Sequence, residues 1–132
     1  MKQKQIINLY KMRNKPKYNF FKNTSYALQG IANLIKTEMS FKIELFLAII
    51  LIPIIIFIDV KLIYKIVMFT TLMGVIIAEI INSAIERIVD LITANHNDLA
   101  KSAKDIGSAL VFVSIITFTV VWGMVMWDIV DL

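Results

Sequence analysis

The chain has 132 residues, enough for one domain at most. Hydrophobic residues make up 58% of it and the mean hydropathy is +0.74, which excludes an ordinary soluble domain. The absence of cysteine removes any disulfide framework, thiol nucleophile or cysteine-ligated metal. A net charge of +4, with nine of the fourteen basic residues before residue 43, points to anionic lipid headgroups rather than nucleic acid.

Residues 1–19 are polar and rich in Lys, Asn and Gln, with no apolar run of the kind a cleavable signal needs. They read as a mobile basic cytoplasmic tail, with Met12 as an alternative start. Residues 20–132 read as one integral-membrane domain. Between Tyr18 and Met39, Phe20, Phe21, Tyr26, Leu28, Ile31, Leu34 and Ile35 interleave with Lys22, Asn23, Gln29, Asn33 and Lys36. That mixture predicts an N-terminal amphipathic helix in the membrane interface, with a soluble helix packed on a partner as the alternative. Ile43 to Ile58 is a first span with Glu44 as its one charge. It is slightly short of the ~20 residues a crossing needs, and Phe41 and Lys42 extend it. Pro53 predicts a kink that membrane helices tolerate. A short turn at Asp59 and Lys61 leads to a second helix from Leu62 to about Leu91. At ~45 Å such a helix outruns the hydrocarbon core. Thr93 to Lys104 reads as a polar connection. Ile106 to Trp127 is the third span, with Trp122 and Trp127 as interfacial anchors.

Basic residues crowd the N-terminal flank and recur at Arg87, Lys101 and Lys104, whereas the first turn offers only Lys61 and Lys65. The positive-inside rule therefore predicts a cytoplasmic N-terminus and second connection, with the first turn and the C-terminus outside. The end of the second helix carries the chemistry. Glu79, Asn82, Glu86 and Asp90 fall at roughly 0°, 300°, 340° and 20° around a helix, a single polar stripe with Arg87 as the nearby counter-charge. A rise of about 25 Å from Leu62 puts Glu79 near the cytoplasmic interface. Ionisable groups at that depth usually face protein or a wet cavity and mark a function, although the solvated end of a membrane helix also carries charges. Carboxylates in a stripe suit a cation or a metal–phosphate. No GxxxxGK[ST] loop and no protein-kinase signature occurs.

The segment EIINSAIERIVD, Glu79 to Asp90, is followed after a short loop by AKDIGSA, Ala103 to Ala109. Together they resemble the signature of the prokaryotic diacylglycerol kinase family, small membrane lipid kinases that also include the undecaprenol kinases. The resemblance covers about residues 20–127. It implies an all-α homotrimer in the bacterial inner membrane, with active sites between subunits on the cytoplasmic face. It implies ATP as phosphoryl donor, magnesium as cofactor and a lipid as substrate. Position by position, it implies Glu79 as the base that accepts the lipid hydroxyl proton, with Asn82 beside it. Glu38 and Glu86 match the metal ligands that carry the ATP phosphates. Tyr26, Lys104 and Asp105 match nucleotide-contacting positions, and Glu44 and Ser108 match positions near the lipid.

The chain departs from the family pattern at positions that bear on how the nucleotide is gripped, while the catalytic carboxylates the resemblance implies are all present. Asn95, His96 and Asn97 replace a segment often read as Glu-Tyr-His, Leu28 replaces a tryptophan of some relatives, and Asn19 is not basic. His96 is the single histidine, so a histidine metal cluster is excluded. Gly107 and Ser108, with Phe41 to Glu44, look more like the diacylglycerol branch than the undecaprenol branch. A non-enzymatic membrane subunit is the rival of another class.

Overall fold

Four helices follow one another: α1, Phe20–Thr37; α2, Met39–Phe57; α3, Leu62–Ile92; and α4, Asp98–Val130. They are seen in a computed structural model that describes residues 18–130. Most of the expected basic tail, Met12 included, lies outside the described residues. Helices α2, α3 and α4 are each long and apolar enough to cross a membrane, with mean hydropathies of 2.4, 1.9 and 2.3. The all-α, three-span expectation is met. The first span starts earlier than Ile43, so Glu38 becomes the N-cap of α2.

One expectation is corrected. Asp98 to Lys104 is not connection but the first two turns of α4, leaving residues 93–97 as the loop. Asn97, which reads as a turn former, is the cap: its Oδ1 accepts the backbone N–H groups of Leu99 and Ala100 at 2.9 and 3.1 Å. Asp98 adds a negative charge in the first turn, where the helix dipole favours it.

The chain divides into two units, residues up to Ala32 and residues from Asn33 onward. In the first, Asn19 Oδ1 accepts the Lys22 backbone N–H at 3.1 Å, which caps α1. In the second, Phe41, Ala48 and Ile55 recur every seven residues on α2 and are buried against Met68, Leu72 and Ile76 of α3. Pro53 lies within α2, which runs on to Phe57. At the far end, Lys65 Nζ donates to the Ile56 carbonyl at 2.8 Å and satisfies one of the terminal acceptors of α2. Helix α4 is tied to α3 by Trp122 Nε1, which donates to the Met68 carbonyl at 3.3 Å, and by Tyr64 Oη donating to Asp128.

The buried stripe of α3 is what positions the site. Met68, Leu72, Val75 and Ile76 follow helical spacing, and the same stripe continues as Glu79, Asn82 and Ser83. The polar residues thus occupy core positions, one register further along.

Candidate active site

Glu79 is 5% exposed, Asn82 8% and Ser83 2%. Buried polar groups need partners, but what surrounds Glu79 from three directions is chiefly other carboxylates. Along α3, Asn82 Nδ2 donates to Glu86 Oε1 at 3.1 Å. From the α1–α2 joint, Glu38 comes within electrostatic reach of Glu79, as does Glu86. From α2, Glu44 in turn feels the charge of Glu79. Four of the predicted carboxylates, Glu38, Glu44, Glu79 and Glu86, therefore converge.

Two buried polar atoms in this cluster have no protein partner, Glu44 Oε2 and Asn82 Oδ1. Such groups cost free energy unless a ligand or water completes them, so both mark the cluster as a place to receive something polar. Beside Asn82, α4 presents Gly107. A Cβ at that position would meet Asn82 Oδ1 at 2.4 Å, so the amide occupies space that only glycine leaves open.

Two of the acids, Glu38 and Asp90, are paired with bases. Arg87 Nη2 pairs with Glu38 Oε1 at 2.9 Å, and that hydrogen bond holds Glu38 below its ordinary carboxylate range against a smaller opposing effect of burial. Lys104 Nζ pairs with Asp90 Oδ1 at 2.6 Å and also feels Glu86. Asp105 and Ser108 are exposed on α4. Tyr26 is exposed and belongs to the first unit, while the residues of the cluster belong to the second.

An apolar cavity of about 600 Å³ adjoins the cluster. Leu47, Leu51, Val75, Ile115 and Phe118 line it, with Glu44 and Ser40 among its few polar members. Its walls suit a hydrocarbon chain.

The donor set can be tested against a cation. No group of three His, Asp or Glu side chains forms a closed metal cage among the described residues. The hydrogen bonds to Glu38 and Glu86 fall on Oε1 in each case, which leaves Oε2 for another ligand. Two hard carboxylate oxygens fit magnesium that keeps waters and shares phosphate oxygens, rather than a caged ion.

The family model described as prokaryotic diacylglycerol kinase matches residues 25–126, which include all nine predicted site residues. The chain belongs to the prokaryotic diacylglycerol kinase family. It is 39% identical over 105 residues to the diacylglycerol kinase of Haemophilus influenzae, covering 80% of this chain and 89% of that one. It is 33% identical over 107 residues to the diacylglycerol kinase of Escherichia coli, covering 81% and 88%. Similarity extends to the undecaprenol kinase of Bacillus subtilis, 34% over 94 residues, covering 71% and 76%. The protein is thus a lipid kinase with a nucleotide phosphoryl donor and a multi-pass bacterial membrane protein. The non-enzymatic alternative falls away.

Two features escaped the sequence reading. Arg87 turns to the α1–α2 joint instead of neutralising its own helix face. Gly107 packs on Asn82; a glycine inside a helical pattern is a signal for close approach, but it does not name the neighbour.

Proposed function

We propose that this enzyme transfers the γ-phosphoryl group of ATP to the headgroup hydroxyl of diacylglycerol, giving phosphatidic acid and ADP. The observation that carries the proposal is the burial of Glu79 among convergent carboxylates, next to an apolar cavity with Glu44 at its polar end. A lipid chain in that cavity would bring its hydroxyl toward α3. The hydroxyl oxygen attacks the γ-phosphorus, the bond from that phosphorus to the β–γ bridging oxygen breaks, and Glu79 takes the hydroxyl proton. Asn82 holds Glu86 through its amide N–H, with its Oδ1 packed against Gly107. Oε2 of Glu38 and of Glu86 would hold the magnesium that accompanies the nucleotide, whose charge offsets that of the phosphates. Lys104, Asp105 and Tyr26 contact the nucleotide in this scheme, and Glu44 and Ser108 the lipid.

Placement follows from charge. Lysine asymmetry supports a cluster at the cytoplasmic face of the inner membrane, with α1 on that side and lying in the interface. A homotrimer with sites shared between subunits would cover part of the apolar surface that α2 and α4 leave exposed, among it Phe46, Ile50, Phe112 and Ile116, with lipid covering the rest.

Undecaprenol is the second substrate reading, favoured by the Bacillus subtilis relative and by a cavity whose apolar walls would take an isoprenoid as readily as an acyl chain. Purified enzyme in mixed micelles, given labelled ATP and each lipid in turn, separates the two. Diacylglycerol should be phosphorylated with the higher kcat/KM. Preference for undecaprenol would transfer the chain to the second reading.

A further inference from the structure

Arg87 lies on α3 immediately after Glu86, yet its guanidinium serves neither Glu86 nor Glu79. Nη1 donates to Asn33 Oδ1 at 2.6 Å, and Nη2 donates to Thr37 Oγ1 at 2.6 Å and to Glu38 Oε1 at 2.9 Å. These acceptors belong to the last turns of α1 and the N-cap of α2. One planar fork from α3 therefore fixes the α1–α2 joint, a geometry that a lysine ammonium cannot reproduce.

Glu38 is the residue this arrangement acts upon. An N-cap side chain normally turns inward to accept a free N–H of its own helix. Glu38 has extended backbone angles, φ −105° and ψ 117°, but makes no such bond. Its carboxylate is drawn off the helix end and held at Oε1 by Arg87, with Thr37 Oγ1 3.1 Å away and its one hydroxyl proton shared between that oxygen and the Asn33 carbonyl. The grip is on one oxygen only. A bidentate fork would have consumed both oxygens and closed the carboxylate to any cation.

We infer that Arg87 is a positioning residue for the nucleotide-borne cation, gripping Oε1 of Glu38 so that Oε2 stays presented to the metal. Hydrogen bonds that orient a ligating carboxylate typically carry 10- to 100-fold of metal affinity. The inference rests on the proposed role of Glu38 as a cation ligand, and its test keeps the two apart.

The test uses purified full-length protein in micelles, with manganese as a paramagnetic stand-in for magnesium and a non-hydrolysable ATP analogue. Binding is read by electron paramagnetic resonance for wild type, Arg87→Gln, Arg87→Lys and Glu38→Gln. Arg87→Gln should weaken manganese–nucleotide binding about 10- to 100-fold, and Arg87→Lys should recover only part of the loss. At saturating metal, kcat of Arg87→Gln should stay within a few-fold of wild type, a split that a general loss of structure would not produce. Unchanged or tighter binding in Arg87→Gln, with Glu38→Gln weakened, overturns the positioning role alone. Unchanged binding in Glu38→Gln overturns the ligand role of Glu38 and the inference with it. If Arg87→Gln does not fold, Arg87→Lys carries the test, with at least a several-fold weakening required.

Discussion

Replacing Gly107 by alanine separates chemistry from stability more cleanly than any substitution of a charged residue. The added Cβ would lie 2.4 Å from Asn82 Oδ1, whereas ordinary contact begins near 3.4 Å, so about 1 Å must be found. The next nearest atoms, Asn82 Cγ at 3.5 Å and Ile85 Cδ1 at 3.7 Å, are already at ordinary distance. The amide oxygen is the end of a short rotatable side chain, so it can swing aside without moving either helix. Alanine also favours a helix interior over glycine by about 1 kcal/mol, which offsets residual strain. The fold should therefore hold. The cost falls on the 3.1 Å hydrogen bond from Asn82 to Glu86, which ties the proposed base region to the proposed cation region. Displacements of about 1 Å in a catalytic array can cost on the order of 10²-fold in rate. Steady-state kinetics in mixed micelles should show such a loss in kcat, with a thermal midpoint close to wild type. In an Asn82→Ala background, Gly107→Ala should cost little more. A Gly107→Ala enzyme with more than half of wild-type kcat, or an equal loss in the Asn82→Ala background, would refute the reasoning.

Two further expectations are simpler. A reporter active only in the cytoplasm, fused after Leu132, should stay silent if three spans carry the C-terminus outside, and a strong signal contradicts that topology. For pH, the Arg87 pairing lowers the Glu38 pKa below its ordinary 4.5. The folded value then lies below the unfolded one, so the stabilisation is full above about pH 4.5 and fades as pH falls through the folded value. The difference in thermal midpoint between wild type and Glu38→Gln should accordingly shrink on acidification, and a difference that grows contradicts the pairing.

The long α3 and its polar stripe were legible because one periodicity runs through both. Met68, Leu72 and Ile76 set a buried face, and Glu79 and Asn82 continue it, so spacing alone places them inside. The convergence of Glu38 and Glu44 on that stripe was not legible from spacing, because it depends on how α2 packs against α3; only the family motif pointed to it. The start of α4 was misplaced because Asn97 and Asp98 suit a loop and a capped helix start equally well, and the choice rests on two backbone hydrogen bonds. Arg87 was assigned to its own helix because i, i+3 and i, i+4 neighbours are all that a sequence shows. Its partners lie about 50 residues away along the chain.

The central claim is that Glu79 accepts the proton of the lipid hydroxyl, and Glu79→Gln tests it most directly. Glutamine keeps the shape of the side chain and the packing of a residue only 5% exposed, but cannot take the proton. Measured in mixed micelles with saturating lipid, kcat should fall by roughly 10²- to 10⁴-fold, with little change in apparent ATP affinity. A folded Glu79→Gln enzyme that retains more than about a tenth of wild-type kcat would contradict the account, and the base would have to be sought at Asp90, Asp105 or a water.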